Sequence, residues 1–273
     1  RDRSGTTLLG QLFSTHPMVR YLHEPYHFWA AVEPKTDFLQ LYSRGEHHCI
    51  LTEELLTPIA QRRFRCLFST KSGVTLLEKS PINAMRIGYL NAISPGATFV
   101  HIVRDGTEVA RSIERIAMLT QKMAFRSPRN AWWGVGDVKW SALIRDGQAS
   151  GYYPDEVCEL ATDAQLGAYE WLVSIREVDA WRGRLGPRLV ELRYQDLTCQ
   201  PRKTLQSLTD SLSLTCPEEW IGQAITQVEP PKSLQGDKPL MLPQHMCADF
   251  NDWQAAFDFK GRSELAPRPV DLR

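Results

Sequence analysis

Ala97-Thr98-Phe99-Val100-His101-Ile102-Val103, followed at once by Arg104-Asp105-Gly106, decides the fold of this 273-residue chain. The first seven residues form a β-branched and aromatic run, the composition of a strand buried on both faces of a parallel sheet. Asp105-Gly106 is turn chemistry. Beyond it Val109, Ile113, Ile116 and Ala117 recur at helical spacing. Upstream, Val74 to Glu78 is apolar enough for a second buried strand. Pro81 then opens a helix to about Ile93, closed by Ser94-Pro95-Gly96. Leu51 to Phe68 reads as helix and Met18 to Leu22 as a short strand. Thr6 to His16 reads as a helix with Leu8, Leu9, Leu12 and Phe13 on its apolar side, stopped by Pro17.

Downstream, residues 119–157 are irregular and hold Trp132, Trp133, Trp140, Tyr152 and Tyr153. Glu159 to Trp181 keeps a helical period through Ala168, Leu172, Ile175 and Val178. Arg188 to Arg193 is a strand, and Pro201 to Leu212 is a helix with Leu205, Leu208 and Leu212. After Pro230 the tail is Pro-rich and weakly patterned. Strands alternate with helices, so the class is α/β: a single domain over 1–273 with a central parallel sheet flanked by helices. Arg1-Asp2-Arg3-Ser4-Gly5 reads as the middle of a motif, so a first strand is expected upstream of residue 1.

Composition narrows the function. Lys and Arg total 32 and Asp and Glu 32, so no global basic field for nucleic acid exists, while a local basic pocket is allowed. Hydrophobic residues at 42% and charged residues at 23% are globular proportions, which exclude disorder and coiled coil. No apolar run reaches the length of a membrane span. The six cysteines form no C-x-x-C pair. Cys49 follows His47-His48 and Cys247 follows His245, but structural zinc needs paired short spacings. The cysteines read as free thiols of a reducing compartment, and no metal is expected.

Two motifs carry chemistry. Arg3-Ser4-Gly5-Thr6-Thr7-Leu8-Leu9 stands at a helix start, where glycine lets backbone come close and free N–H groups face an anion. Two threonine hydroxyls and the Arg3 fork complete a phosphate cradle. The nucleoside triphosphatase pattern G-x-x-x-x-G-K-[ST] is absent. The second motif is Arg104 at the end of the best strand, with Ser112 about two turns into the next helix. Alone, that pair reads as a solvated arginine and a surface serine.

Together, in this order, the two motifs resemble the PAPS-dependent sulfotransferase family, nearest to bacterial members related to tyrosylprotein and carbohydrate sulfotransferases. Leu22-His23-Glu24-Pro25, Glu78-Lys79-Ser80-Pro81, Phe99 to Ser112 and Leu192-Arg193-Tyr194-Gln195-Asp196-Leu197 extend the likeness to about residue 215. The resemblance implies a P-loop-like sulfotransferase fold. It implies that Arg3, Ser4, Gly5, Thr6 and Thr7 hold the 5′-phosphosulfate of 3′-phosphoadenosine 5′-phosphosulfate (PAPS). Arg104 and Ser112 would hold the 3′-phosphate, and Tyr194 would lie near the adenine. Lys260-Gly261-Arg262 looks like the family's C-terminal phosphate-contacting loop. The co-substrate would leave as adenosine 3′,5′-bisphosphate, with no metal required.

The resemblance implies Glu24 as general base, with His23 as rival; such a base must reach the acceptor's hydroxyl proton. It also implies that Lys79 and Arg3 stabilise charge on the leaving oxygen. His101 reads as a satisfied core histidine. The 119–157 stretch is the expected acceptor-side insertion. The acceptor would present a hydroxyl, that of a sugar, a phenol, a tyrosyl peptide or another alcohol, on a small molecule, glycan or peptide. The alternatives are a P-loop small-molecule kinase, disfavoured by the missing Walker lysine, and a nucleotide-binding module without catalysis. A bacterial cytoplasmic location is expected, with a secretory-pathway lumen as the alternative.

Overall fold

A computed structural model describes residues 5–123, 132–229 and 239–267, the side chains of 120–123 and Val135 excepted. In chain order, the elements are α1 (Thr6–Ser14), β1 (Val19–His23), α2 (Tyr26–Val32), α3 (Pro58–Leu67), β2 (Thr75–Lys79), α4 (Ile87–Ile93), β3 (Phe99–Val103) and α5 (Gly106–Met123). Then come α6 (Val138–Ala149), α7 (Asp163–Leu185), β4 (Leu189–Arg193), α8 (Tyr194–Cys199), α9 (Pro201–Ser211), α10 (Glu218–Ile225), β5 (Leu240–Leu242), α11 (Gln244–Ala256) and β6 (Ser263–Leu265).

The strands pair in parallel, as expected. β1 lies beside β2 with His23 opposite Lys79, and β3 beside β4 with Val103 opposite Arg193. β5 and β6 form a third, small parallel pair. The carboxyl ends of β2, β3 and β4 converge on the start of α1: Lys79 bonds to Thr7, the Tyr194 ring abuts Gly5, and Arg104 lies over that ring. The carboxyl ends of the two larger pairs therefore meet at the start of α1.

Alternation along each strand makes three layers. Leu77, Val100, Ile102, Val190 and Leu192 join Leu9, Leu12 and Phe13 of α1 and Leu205, Leu208, Trp220 and Ile221 of α9 and α10 on one face. On the other face Leu76 packs with Trp29, Tyr89 and Leu90, and Phe99 with Ile87 and Val178. The largest core joins α5, α6, α7 and α11. At Gly167 a Cβ would lie 3.1 Å from the Ile113 Cβ and 3.2 Å from the Ala110 Cα, so a side chain there would press α5 and α7 apart by a few tenths of an ångström.

Four local expectations change. Leu51 to Phe68 is not one helix: Glu53–Leu55 forms a single 3₁₀ turn, and α3 starts afresh at Pro58. Pro58 disfavours helical backbone at Thr57, which instead caps α3 by accepting the Ala60 N–H at 3.1 Å. The segment from Pro81 is 3₁₀ to Met85 and becomes α-helical only after Arg86, whose backbone is non-helical. The buried Arg86 guanidinium donates to the carbonyls of His48 and Cys49.

The 119–157 stretch begins inside α5 and contains α6. The buried positions of α6, Lys139, Ala142, Leu143, Asp146 and Gly147, keep perfect helical spacing, but two are charged and hide the apolar stripe. In the tail, α11 buries Met246, Cys247, Phe250 and Gln254, where a glutamine breaks the pattern in the same way. Among the described residues no helix is long and apolar enough to cross a membrane.

Asp146 shows what the buried charges do. It accepts the N–H groups of Cys49 and Ile50 at 2.6 and 3.1 Å and pairs with His48 Nδ1 at 2.9 Å, tying the 48–50 segment to α6. Asp146→Ala leaves two buried N–H groups without acceptors, each costing about 1–3 kcal/mol. Urea unfolding is expected to show a loss of about 2–5 kcal/mol, with Asp146→Asn, which keeps one acceptor oxygen, losing less.

Candidate active site

Gly5 sits at φ 85°, in the left-handed region that favours glycine. A Cβ there would lie 2.1 Å from Tyr194 Cδ2, so the aromatic ring and the chain can meet only at a glycine. The first helical bond of α1 runs from Leu9 N–H to Gly5 C=O at 3.0 Å. The N–H groups of the first turn therefore have no partner inside the helix and point toward the strand ends, the electropositive end of the helix dipole. Thr6 and Thr7 are partly buried there. Arg3 and Ser4, expected in the same cradle, lie outside the described residues.

Parallel pairing brings the next two residues together. Because His23 is opposite Lys79 in the β1–β2 register, the residue after β1 arrives beside the carboxyl end of β2. Glu24 N–H donates to the Lys79 carbonyl at 2.8 Å, and the Glu24 carbonyl accepts Tyr26 N–H at 2.7 Å. This tight turn holds Glu24 at φ 44°, a conformation that costs a non-glycine residue about 1–2 kcal/mol. Lys79, only 8% exposed, donates from Nζ to Glu24 Oε1 at 2.5 Å and to Thr7 Oγ1 at 2.6 Å. One buried ammonium thus links an acid and the anion-facing end of α1.

Glu78 points to the opposite face from Lys79. It accepts from Trp29 Nε1 at 3.0 Å, Ser80 Oγ at 2.6 Å and Asn83 Nδ2, and so clamps α2 and the turn after β2. Burial pushes its carboxyl above the ordinary range. Burial and the Glu24 charge likewise push the Tyr26 phenol up. His23, the rival base, is exposed and lies 2.9 Å from the Tyr21 hydroxyl through Nδ1. It is Glu24, not His23, that reaches Lys79.

The second motif meets the first through Tyr194. Arg104, 8% exposed at the end of β3, has its guanidinium 4.6 Å from the Tyr194 ring centroid. Its Nε donates to Glu108 Oε2 at 2.7 Å, and its carbonyl accepts Trp171 Nε1 at 3.1 Å. Ser112 is partly buried on α5, one turn beyond Glu108 and on the same stripe as it. His101 pairs across the strands with Glu191 at 2.9 Å, the partnered histidine that the sequence leads one to expect.

Asp105 explains how the distant Lys260-Gly261-Arg262 stretch comes into place. Its carboxylate accepts Thr107 N–H and Oγ1 at 2.9 and 2.6 Å, Gln254 Nε2 at 2.9 Å and Gly261 N–H at 2.8 Å. A Cβ on Gly261 would fall 2.4 Å from Asp105 Oδ1. The loop is therefore docked on the residue that follows Arg104, with Lys260 and Arg262 exposed on it. Burial alone would raise the Asp105 carboxyl, but these hydrogen bonds outweigh it and hold the group below the usual carboxylate range. Asp105 and Gln254 were not legible as site residues, because Asp105-Gly106 reads simply as a turn and Gln254 has no local signal.

Among the described residues no three His, Cys, Asp or Glu side chains gather as a metal-binding group. Burial pushes the Cys49 thiol up to about 12, so it stays protonated and is no nucleophile.

The model of the sulfotransferase family matches residues 2–218. The chain belongs to the sulfotransferase family. Its fold is that of solved family structures. The sulfotransferase domain from the curacin biosynthetic pathway matches with TM-score 0.59 at 15% identity over 95% of each chain. Sulfotransferase STF9 from Mycobacterium avium matches with TM-score 0.54 at 12% identity, over 96% of this chain and 76% of that one. At such identities the likeness is one of fold. A comparison with curated proteins gives no match.

Asp105→Asn tests the docked loop of this sulfotransferase. The amide would set N–H groups against N–H donors, so a loss of about 1.5–3 kcal/mol at neutral pH is expected, nearer the lower figure because the group is partly exposed. A carboxyl held below its unfolded value stabilises above that value and loses the contribution as pH falls through the folded one. The stability gap between wild type and variant should hold at pH 5–7 and close as pH drops below about 3.9.

Proposed function

We propose that this sulfotransferase uses PAPS and transfers its sulfuryl group to an acceptor hydroxyl. The carrying observation is the Lys79 ammonium, bonded at once to the Glu24 carboxylate and to Thr7 at the start of α1. A base, a cation and an anion cradle at one point are what in-line transfer of a charged group to a hydroxyl requires. The bound donor would supply the sulfuryl group and a good leaving group, adenosine 3′,5′-bisphosphate. The residues fit such a molecule: the Gly5 cradle admits no side chain, and Arg104, Tyr194 and the 260–262 loop stand together at the neighbouring strand ends.

In this reading Arg3, Ser4, Gly5, Thr6 and Thr7 hold the 5′ group, while Arg104, Ser112, Lys260, Gly261 and Arg262 hold the 3′-phosphate. Tyr194 flanks the base. Glu24 accepts the acceptor's hydroxyl proton on its carboxylate. As that charge is neutralised, Lys79 and Arg3 are left to stabilise the departing oxygen. The contact sets the order: the Glu24 carboxylate stays bonded to Lys79 until a hydroxyl takes the place of one of its bonds. The 119–157 stretch lies on the acceptor side, a reading supported by Trp132, Gly134 and Lys139 lining the same cavity as Glu24 and Tyr26. The acceptor is a small molecule, glycan or peptide that presents a hydroxyl.

Calorimetric titration tests the donor. Adenosine 3′,5′-bisphosphate should bind far better than adenosine 5′-monophosphate, and Arg104→Ala should remove that preference at a cost of about 1.5–3 kcal/mol, roughly ten- to a hundredfold in affinity. Equal binding of the two nucleotides overturns the reading. Glu24→Gln tests the base: turnover should fall about 10²–10⁴-fold with bisphosphate affinity unchanged. Full turnover in this variant would transfer the role elsewhere.

A further inference from the structure

Most tyrosine hydroxyls of this molecule have a partner. Tyr21 meets His23 Nδ1, Tyr89 donates to Glu33, Tyr152 to Glu177, Tyr153 to Asp249 and Tyr169 to the Tyr152 carbonyl. Tyr42, at 66% exposure, stands in solvent. Among the described residues the remaining two, Tyr194 and Tyr26, have hydroxyls with no hydrogen-bond partner. Tyr194 is the ring between Gly5 and Arg104. Tyr26 stands at the other junction, half-buried, and lines the same cavity as Glu24 and Lys79. Its ring joins no apolar cluster of the described core. Its oxygen is not sealed off, as the His47 ring nitrogens and Asn83 Oδ1 are. A polar group left unpaired in a folded interior calls for a reason. A half-buried phenol that opens on a cavity is free to bind a ligand.

Chemistry limits what this phenol can hold. Burial, and then the Glu24 charge, keep it protonated, so it offers a donor. The turn that bonds Tyr26 N–H to the Glu24 carbonyl at 2.7 Å brings both side chains to the cavity with only Pro25 between them. A donor on the reacting oxygen would draw on the lone pair that attacks, and so oppose the base. A donor on a neighbouring oxygen holds the acceptor without that cost. Glu170 and Lys139, each less than a tenth exposed, pair at 2.7 Å and line the same cavity. A hydrocarbon acceptor would strip water from this pair and return nothing, so the cavity suits an acceptor with further polar groups. We propose that Tyr26 donates a hydrogen bond to a second oxygen of the acceptor, next to the hydroxyl that Glu24 faces, and that the enzyme thereby selects 1,2-diols over lone alcohols. The inference rests on the reading of Glu24 as the base at the acceptor.

Saturation-transfer NMR on the protein without nucleotide tests this with two matched pairs, catechol against phenol and cis-cyclohexane-1,2-diol against cyclohexanol. In at least one pair the diol should bind about three- to tenfold more tightly, the value of one net hydrogen bond. Tyr26→Phe should bring that diol down to the level of its mono-alcohol. It should leave the thermal midpoint where it was, since the hydroxyl has no protein partner to lose. Equal binding within both pairs overturns the proposal, and so does a preference that survives Tyr26→Phe. A midpoint that falls by several degrees in the variant also overturns it, because the hydroxyl would then be holding the fold. No nucleotide is present, so a failed donor reading, seen in the bisphosphate titration, leaves these outcomes as they are.

Discussion

A single ammonium group holds the centre of this molecule together. Lys79 is too buried to stand uncompensated, since a lone charge in that setting costs several kcal/mol. It is satisfied only if three separate pieces of chain meet: the end of β2, the turn after β1 and the first turn of α1. The parallel register delivers the first two, and the helix packed across the sheet delivers the third. Moving the turn after β1 would take away its carboxylate, and moving α1 would take away the Thr7 hydroxyl. Fold and site are therefore not separable here, because the contact that closes the layers is the contact that assembles the chemistry.

A second junction repeats this logic with different partners. Asp105 is satisfied by the turn it opens, by Gln254 of α11 and by the backbone of Gly261. It brings a segment about 150 residues away to the end of β3. Between the two junctions, the Tyr194 ring touches Gly5 on one side and Arg104 on the other. The anion-facing features are thus gathered at one end of the strands although the chain as a whole is neutral. Local charge placed by topology does here what net charge does in a basic nucleic-acid binder.

What could be read in the sequence was what is local. The last five residues of ATFVHIV became β3, the strand expected over Arg188 to Arg193 became β4 from Leu189, and the cradle glycine stands where the helix start requires it. The nearness of Glu24 to Lys79 came only through a family resemblance, since no spacing connects residues 55 apart. Helices α6 and α11 escaped because their inner faces carry Lys139, Asp146 and Gln254, polar groups that are buried only because distant partners await them. A periodicity of hydrophobic residues cannot register a position whose burial is bought by a partner elsewhere in the chain. The turn at Asp105 was visible, but its grip on the 260–262 loop was not, for the same reason.

The left-handed backbone at Glu24 has a consequence for anyone who redesigns this protein. Methods that optimise folding residue by residue favour glycine or asparagine at such a position, because either adopts that conformation at less cost. Applied here, they would delete the one carboxylate that Lys79 holds at the mouth of the cradle. The position is a place where the backbone's preference and the pairing of a buried charge point in opposite directions. Scoring that weighs the backbone alone would misjudge it, because the strain is smaller than the cost of leaving Lys79 without its carboxylate, and Glu24 belongs among the residues held constant before any such search begins.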